Sequence, residues 1–291
     1  MNDKISDVHG KPERAEIDQF LLGCLTGAPS DWPSAWSDPA SHEAVWQRLH
    51  FHGVCLSISQ MGSRNELWPP LILDRVAEEA RLQIMWELYH KDALAKLLAA
   101  FAAANVQNLV LKGTALAYSL YENPAERRRG DTDLLVQEND LSKARRTLEA
   151  AGFRRIPGTS GLFGDLHYQE IWRLDPSNGL THDIDLHWQV TNSRALKNVL
   201  AVEEFFSGAV LLDRLSANAL TPDPASRLIH GAVNRAVHGR DGYWSLGRLL
   251  YDQDRLAWAR DFHLQASRFN PDDWKAFTDR AIEKGLAPLC L

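Results

Sequence analysis

Between Ile17 and Leu25 apolar residues cluster and are closed off by Gly27 and Pro29, which predicts a short helix. Residues 28–41 carry three prolines around Trp32 and Trp36 and read as an irregular loop. Helical signals return over 42–60. The longest periodic stretch runs from Leu71 to Ala104, where Val76, Ala80, Ile84, Leu88, Leu94, Leu97, Leu98 and Phe101 recur near helical spacing. Behind a polar tail at 1–14, residues 1–104 are expected to be mostly α-helical.

The texture then changes. Leu109-Val110-Leu111 is a short apolar strand candidate, followed by Gly113 and a helical run from Thr114 to Tyr121. A polar turn with three consecutive arginines leads into a second strand, Asp131 to Val136. Asp140 to Ala151 reads as a helix with Gly152 just past its end. Strand candidates near 166–174 and 180–190 flank Asp175-Pro176-Ser177-Asn178-Gly179, a run of turn formers, and so predict an antiparallel hairpin. From about 195 the pattern is helical to the end. The organisation is helical, then compact α/β, then helical, with expected parts 1–104, 105–192 and 193–291.

Side chains alternate between the faces of a strand. Asp131 and Asp133 therefore point the same way, while Thr132, Leu134 and Val136 point the other. Two carboxylates side by side repel each other unless a cation neutralises them, and Asp is a poor strand former. In Asp183-Ile184-Asp185-Leu186-His187-Trp188 the same alternation separates an acidic face from an apolar one. If the two strands are close, Asp185 joins Asp131 and Asp133 as a three-carboxylate set able to hold hard divalent cations through oxygen. Upstream, Leu111-Lys112-Gly113-Thr114 sits at a strand-to-helix turn. Gly113 lets backbone approach a ligand, and the helix N-terminus suits phosphate. Thr114 adds a hydroxyl, and Lys112 is either near phosphate or solvated. The spacing is not that of a Walker A loop. Arg127, Arg128 and Arg129 could each clamp phosphate in bidentate fashion, and Arg129 is carried forward as the candidate. His167, His187, His230 and His238 could border a pocket or be ordinary structural histidines. Trp172 and Trp188 read as core. Arg248 and Asp252 have the spacing of a helix-surface pair.

Composition narrows the partners. With 291 residues and 45% hydrophobic content the chain can bury a substantial core. A formal charge of −6 disfavours long DNA or RNA as partner, without excluding a local basic patch. Cys24, Cys55 and Cys290 lack CxxC spacing, which argues against a disulfide framework or zinc site and fits a reducing cytoplasm. The first residues are too polar for a signal peptide, and no apolar run reaches membrane-spanning length.

LKGTALAYSLY, an arginine before GDTDLLV, and DIDLHW together resemble the bacterial family of uncharacterised nucleotidyltransferases, within the DNA polymerase β-type nucleotidyltransferase superfamily. The resemblance covers roughly residues 95–255. It implies an α/β (α+β) protein: a minimal nucleotidyltransferase core with a mixed β-sheet, flanked by N- and C-terminal helical regions. Gly113 and Thr114 match the phosphate-binding turn, with Thr in place of the usual Ser. Asp131, Asp133 and Asp185 match the metal-binding and catalytic carboxylates. The implied reaction is transfer of a nucleoside monophosphate from an NTP donor to an acceptor, with Mg²⁺ (or Mn²⁺) bound and pyrophosphate released. The acidic composition favours a small-molecule, peptide or protein acceptor. The rival readings are a toxin that modifies tRNA, which would need a basic groove, and a non-catalytic nucleotide- or partner-binding module.

Overall fold

The computed structural model describes residues 12–28, 31–62, 67–157, 168–177, 179–193, 196, 199–245, 248–250 and 255–290. His167, Asp252 and the side chain of Arg248 lie outside the described residues. The chain divides into two compact units, residues 1–85 with 255–257, and residues 86–254 with 258–291. Among the described residues no helix is long and apolar enough to cross a membrane.

The first unit is helical. Helix α1 spans Arg14–Thr26 and ends at Gly27, whose φ of 93° is left-handed. Helix α2, Pro39–His52, starts from Asp38, whose carboxylate accepts from the Ala40 and Ser41 amides, with Pro39 at the first helical position. The helical signals over 42–60 belong to two helices. Gly53, at φ 68°, closes α2, and α3 restarts at Cys55–Ser59. Ile17, Leu21, Val45, Leu49, Ile58 and Trp68 form the core. Cys24 and Cys55 are buried in this unit, and none of Cys24, Cys55 and Cys290 is in a disulfide among the described residues.

Helix α4, Pro70–Ala103, begins just after Pro69, and Asn105 in left-handed conformation (φ 51°) closes it. There the Val106 amide donates back to the Phe101 carbonyl. The second unit is built on a five-stranded mixed sheet in the order β1-β2-β5-β4-β3. Its strands are β1 (Asn108–Val110), β2 (Asp131–Val136), β3 (Arg154–Arg155), β4 (Gln169–Leu174) and β5 (His182–His187). β2 and β5 are parallel, and the remaining neighbours are antiparallel. The expected hairpin is the β4–β5 pair. Between strands, α5 spans Lys112–Leu120 and α6 spans Leu141–Ala150.

One sheet face carries Val110, Leu134, Val136, Trp172, Ile184 and Leu186. It is covered by Leu97, Leu98 and Phe101 of α4 and by Ala144 and Leu148 of α6. Each fully buried large side chain of this kind contributes about 1.5–3 kcal/mol. The opposite face is apolar only at one end. There Leu109, Leu111 and Leu135 pack against Phe205 of α7 (Val202–Ser207) and Leu228, Ile229 and Val233 of α8 (Pro224–Asp241). The other end of that face is acidic.

The reading of residues after 195 as helical to the end is corrected by two short β-pairs, β6 (Val210–Leu211) with β7 (Leu220–Thr221) and β8 (Tyr243–Ser245) with β9 (Arg248–Leu250). Runs of two or three residues are too short to register a period-two pattern. Helices α9 (Leu256–Ala266), α10 (Pro271–Glu283) and α11 (Ala287–Cys290) complete the chain.

Asp223 ties this helical part together. It caps α8 by accepting from the Ser226 amide, and Arg280 of α10 donates to both its carboxylate oxygens at 2.8 Å. A Cβ added at Gly208 would lie 2.7 Å from Asp223 Oδ2. Because that oxygen is held by several bonds, Gly208→Ala is expected to destabilise by about 1–2 kcal/mol. Thermal unfolding should show a Tm lower by several degrees, and an unchanged Tm would mean that the cap yields without cost.

Candidate active site

The parallel register of β2 and β5 places Asp131 opposite Asp183 and Asp133 opposite Asp185. Residues paired in register share a face, so Asp131, Asp133, Asp183, Asp185 and His187 all lie on the face away from α4 and α6. Oxygens of Asp133 and Asp185 and a ring nitrogen of His187 lie within 4.8 Å of one another. His187 Nε2 is 2.9 Å from Asp133 Oδ1, and its Nδ1 is buried with no hydrogen-bond partner among the described residues. Asp131, exposed at the start of β2, is outside that set of three. Asp183 is engaged elsewhere, since Arg173 donates to both its oxygens at 2.7 Å.

The cluster already attracts one cation. Lys112 Nζ lies 2.5 Å from Asp133 Oδ1. Burial opposes ionisation of both partners. For Lys112 the neighbouring carboxylates, Asp133 foremost, outweigh it and raise the ammonium pKa. For Asp133 the Lys112 charge and the His187 hydrogen bond outweigh it and hold the carboxyl far below its ordinary range. Asp185 makes no ion pair of this kind among the described residues, and the Lys112 charge offsets its burial only in part. Burial, with the charges of Asp131 and Asp133, pushes its pKa well up. Asp131, although it reaches solvent, is raised to about 6 by the protein around it and by Asp133. Burial, followed by the Lys112 charge, lowers His187 and favours its neutral form. Two carboxylates and a neutral imidazole fit a divalent cation: hard oxygen donors suit Mg²⁺, and the nitrogen is better suited to Mn²⁺.

Lys112 also carries local strain. Its φ of 46° is left-handed, which is unfavourable for a residue with a Cβ. The neighbouring glycine does not adopt that conformation. Strain of this kind persists only where the surroundings over-determine it, and here the ion pair to β2 and the start of α5 do so.

Thr114 is buried, and its hydroxyl lies 2.8 Å from Thr132 Oγ1 and accepts from Arg129 Nε at 2.9 Å. Arg129 Nη2 donates to Glu87 Oε1 at 2.9 Å, and Nη1 lies 2.7 Å from Oε2. The Arg129 guanidinium also sits over the rings of Trp86 and Tyr118. Tyr118 donates its hydroxyl to Glu87 as well. Thr114 and Arg129, two of the four residues expected at the phosphates, are thus engaged within the protein, and neither lines the cavity described next, whereas Lys112 and Gly113 do. His90 and His182 extend the same network behind Thr132, with His90 Nε2 2.6 Å from Thr132 Oγ1.

A cavity of about 70 Å³, several times the space one water needs, opens on the first turn of α5. Lys112, Gly113, Arg127, Arg227, Asp261 and Gln265 are among the residues that line it. Arg127 and Arg129 both approach Gly113, where an added Cβ would be 3.7 Å from Arg127 Nη2 and from Arg129 Cδ. Arg127 Nε donates to Asp261 at 2.8 Å, and Asp261 also accepts from the Tyr121 hydroxyl. His230 lines the cavity too, with its ring edge-on to Phe205. Burial, then the Lys112 charge, lowers its pKa to about 3. His238 packs against Trp258. Trp172 is buried core, and Trp188 is half-buried under Arg145.

Sequence reasoning left His187 open, although its place two residues after Asp185 on one strand was the available signal. Glu87, Asp261, Arg227 and Gln265 were not anticipated. They sit in periodic helices, where nothing local separates them from other polar positions.

The fold has a distant likeness among solved structures. The antibiotic-resistance factor ANT(2'')-Ia, solved in solution, aligns at TM-score 0.43 and 10% identity, over 69% of this chain and 95% of that one. No curated protein matches the chain. The family described as uncharacterised nucleotidyltransferase matches over residues 38–291, which takes in the Gly113 turn, both acidic strands and the C-terminal helices. With the acidic strands paired in register beside a glycine turn, this chain belongs to that nucleotidyltransferase family.

Proposed function

We propose that the protein transfers a nucleoside monophosphate from an NTP to a hydroxyl of a small-molecule, peptide or protein acceptor, releasing pyrophosphate. The observation that carries this reading is the register pairing of Asp133 with Asp185, with His187 alongside, next to the α5 turn. Asp133, Asp185 and Asp131 would hold Mg²⁺, and His187 would orient Asp133 through its 2.9 Å contact or join as a ligand. When bound, the metal supplies charge neutralisation and orientation for an in-line displacement.

The chain's own residues do the rest. The first-turn amides of α5 have no partner within the helix, and at Gly113 they present a side-chain-free surface to phosphate. Thr114 and Arg129 fix that turn to β2 from behind. In the transfer, the acceptor oxygen bonds to the α-phosphorus, the bond from that phosphorus to the bridging oxygen breaks, and pyrophosphate leaves with the electron pair. Asp185, beside Asp133 on the open face of the sheet, takes the acceptor proton.

The test is thermal unfolding with each NTP, with and without Mg²⁺, followed by a transfer assay against acceptor pools with the best donor. A ligand at a hundred times its Kd stabilises by about 2.7 kcal/mol, a readily measured rise in Tm. A magnesium-dependent rise with one or more NTPs, and label transferred to an acceptor, is the expected result. A rise without any transfer would leave a nucleotide-binding module, and no rise with any NTP would remove the triphosphate site.

A further inference from the structure

Two residues lining the cavity on α5 each carry a buried polar atom with no hydrogen-bond partner among the described residues. Gln265 is 3% exposed, and its Oε1 has no hydrogen-bond partner among the described residues. Arg227 Nε is buried and likewise unpartnered. Both residues line the cavity. Leaving a buried polar atom unpaired costs about 1–3 kcal/mol, and more when the group is charged. Of the two, Arg227 is a donor, so a ligand bearing acceptor oxygens is the kind that would satisfy it.

Charge identifies what enters. Lys112, Arg127, Arg227 and Arg235 bring four cationic side chains to the lining, against one carboxylate, Asp261. Asp261 is neutralised within the protein by Arg127, and Lys112 by Asp133. Arg227 lines the cavity and has no such close partner among the described residues. Asp223, one helical turn before it, is held by Arg280 and Ser226. Desolvation accordingly lowers the Arg227 pKa to about 10. The same cavity contacts Gly113 but not Asp185. It therefore lies on the phosphate-turn side of the site, away from where an acceptor hydroxyl would meet Asp185.

We propose that this cavity receives the terminal phosphates of the nucleoside triphosphate, with Arg227 and the Gln265 amide as their recognition groups. The assignment rests on the donor reading above. It adds the discrimination of a triphosphate from shorter phosphate chains by residues of α8 and α9 remote from the acidic strands. Guanidinium meets phosphate oxygens in bidentate fashion, and the Gln265 side chain can turn its N–H₂ end toward them. Released pyrophosphate would occupy the same place.

The test uses inorganic tripolyphosphate and pyrophosphate, in EDTA so that the carboxylate site plays no part, by calorimetry and thermal unfolding. Wild type should bind tripolyphosphate. Arg227→Met should bind it roughly ten- to a hundredfold more weakly, with Arg227→Lys intermediate and Gln265→Leu weakened less than Arg227→Met. Without ligand, Arg227→Met should melt at or above the wild-type temperature, because it removes an unpaired buried charge. A merely structural arginine would give a lower melting temperature. No binding of tripolyphosphate by wild type, or equal binding by Arg227→Met, would overturn the assignment. Tripolyphosphate binding that depends on Arg227, in a protein that transfers nothing from any NTP, would uphold the cavity while removing the transferase reading.

Discussion

Asp133→Asn and Asp185→Asn are each expected to lower nucleotidyl transfer by roughly three orders of magnitude or more, about 4 kcal/mol in the barrier. Each variant removes one of two carboxylates that face each other across the β2–β5 ladder. Asp133 also holds Lys112 and His187, so its loss disturbs the local charge balance more widely. Asp183→Asn is the control. Asp183 occupies the same strand face, one register position from Asp185, yet is bound to Arg173, and its variant should keep transfer within a few-fold of wild type. Single-turnover transfer with the preferred NTP measures all three. Full activity in Asp185→Asn would take the proton-accepting role from that residue, and loss in Asp183→Asn equal to the others would show that the acidic face acts as a whole.

Glu87→Ala should be the most destabilising substitution in the sheet-containing unit. Glu87 is 7% exposed and is the partner of both Arg129 and Tyr118. Burial and the adjacent Glu87 charge raise the Tyr118 pKa, which keeps the phenol protonated as the donor. Truncating Glu87 leaves a guanidinium that is 4% exposed with no carboxylate to meet it. Removing one member of a buried ion pair costs about 3–5 kcal/mol, which at a few degrees per kcal/mol is roughly 6–20 °C in Tm. The apolar replacement Glu87→Leu with Arg129→Met should recover most of that loss, because neither member of this pair is then left as an unpaired buried charge. Recovery by the double variant would mark the pair as a positioning device, and its remaining effect on NTP affinity would report how far Arg129 holds the Gly113 turn through Thr114. A neutral Glu87→Ala would show that Arg129 finds another partner.

These two results bear on different layers of one structure. The carboxylates lie on the open face of the sheet, whereas Glu87, Arg129, Thr114 and Thr132 lie in the layer beneath it and tie the Gly113 turn to β2. Thr132, between the two aspartates of β2, points into that layer because side chains alternate along a strand.

Much of this was legible in the residues themselves. β2 occupies Asp131–Val136 as its alternation required, and the turn at 175–179 fixed the β4–β5 hairpin. The period of α4 marked it to within a residue of its ends. Periodicity and turn chemistry are local, and a local pattern is sufficient when it extends over several residues. β3, β6 and β7 are two residues long and leave no such pattern. That Asp185 meets Asp133 could be stated only as a condition. Parallel pairing between strands some fifty residues apart is decided by what packs on both faces of the sheet, and no spacing in the sequence encodes it. The arginines show the same limit most clearly. Arg127, Arg128 and Arg129 are alike as letters, yet Arg127 turns to Asp261 of α9, far along the chain, and Arg129 to Glu87 of α4. The sequence determined the chemistry available: acidic strands, a glycine turn and a surplus of cations near it. Tertiary packing decided which charges were spent on one another and which, such as Arg227, were left facing an open cavity. Burial makes an unpaired charge costly, and only the folded chain determines which charges are buried together.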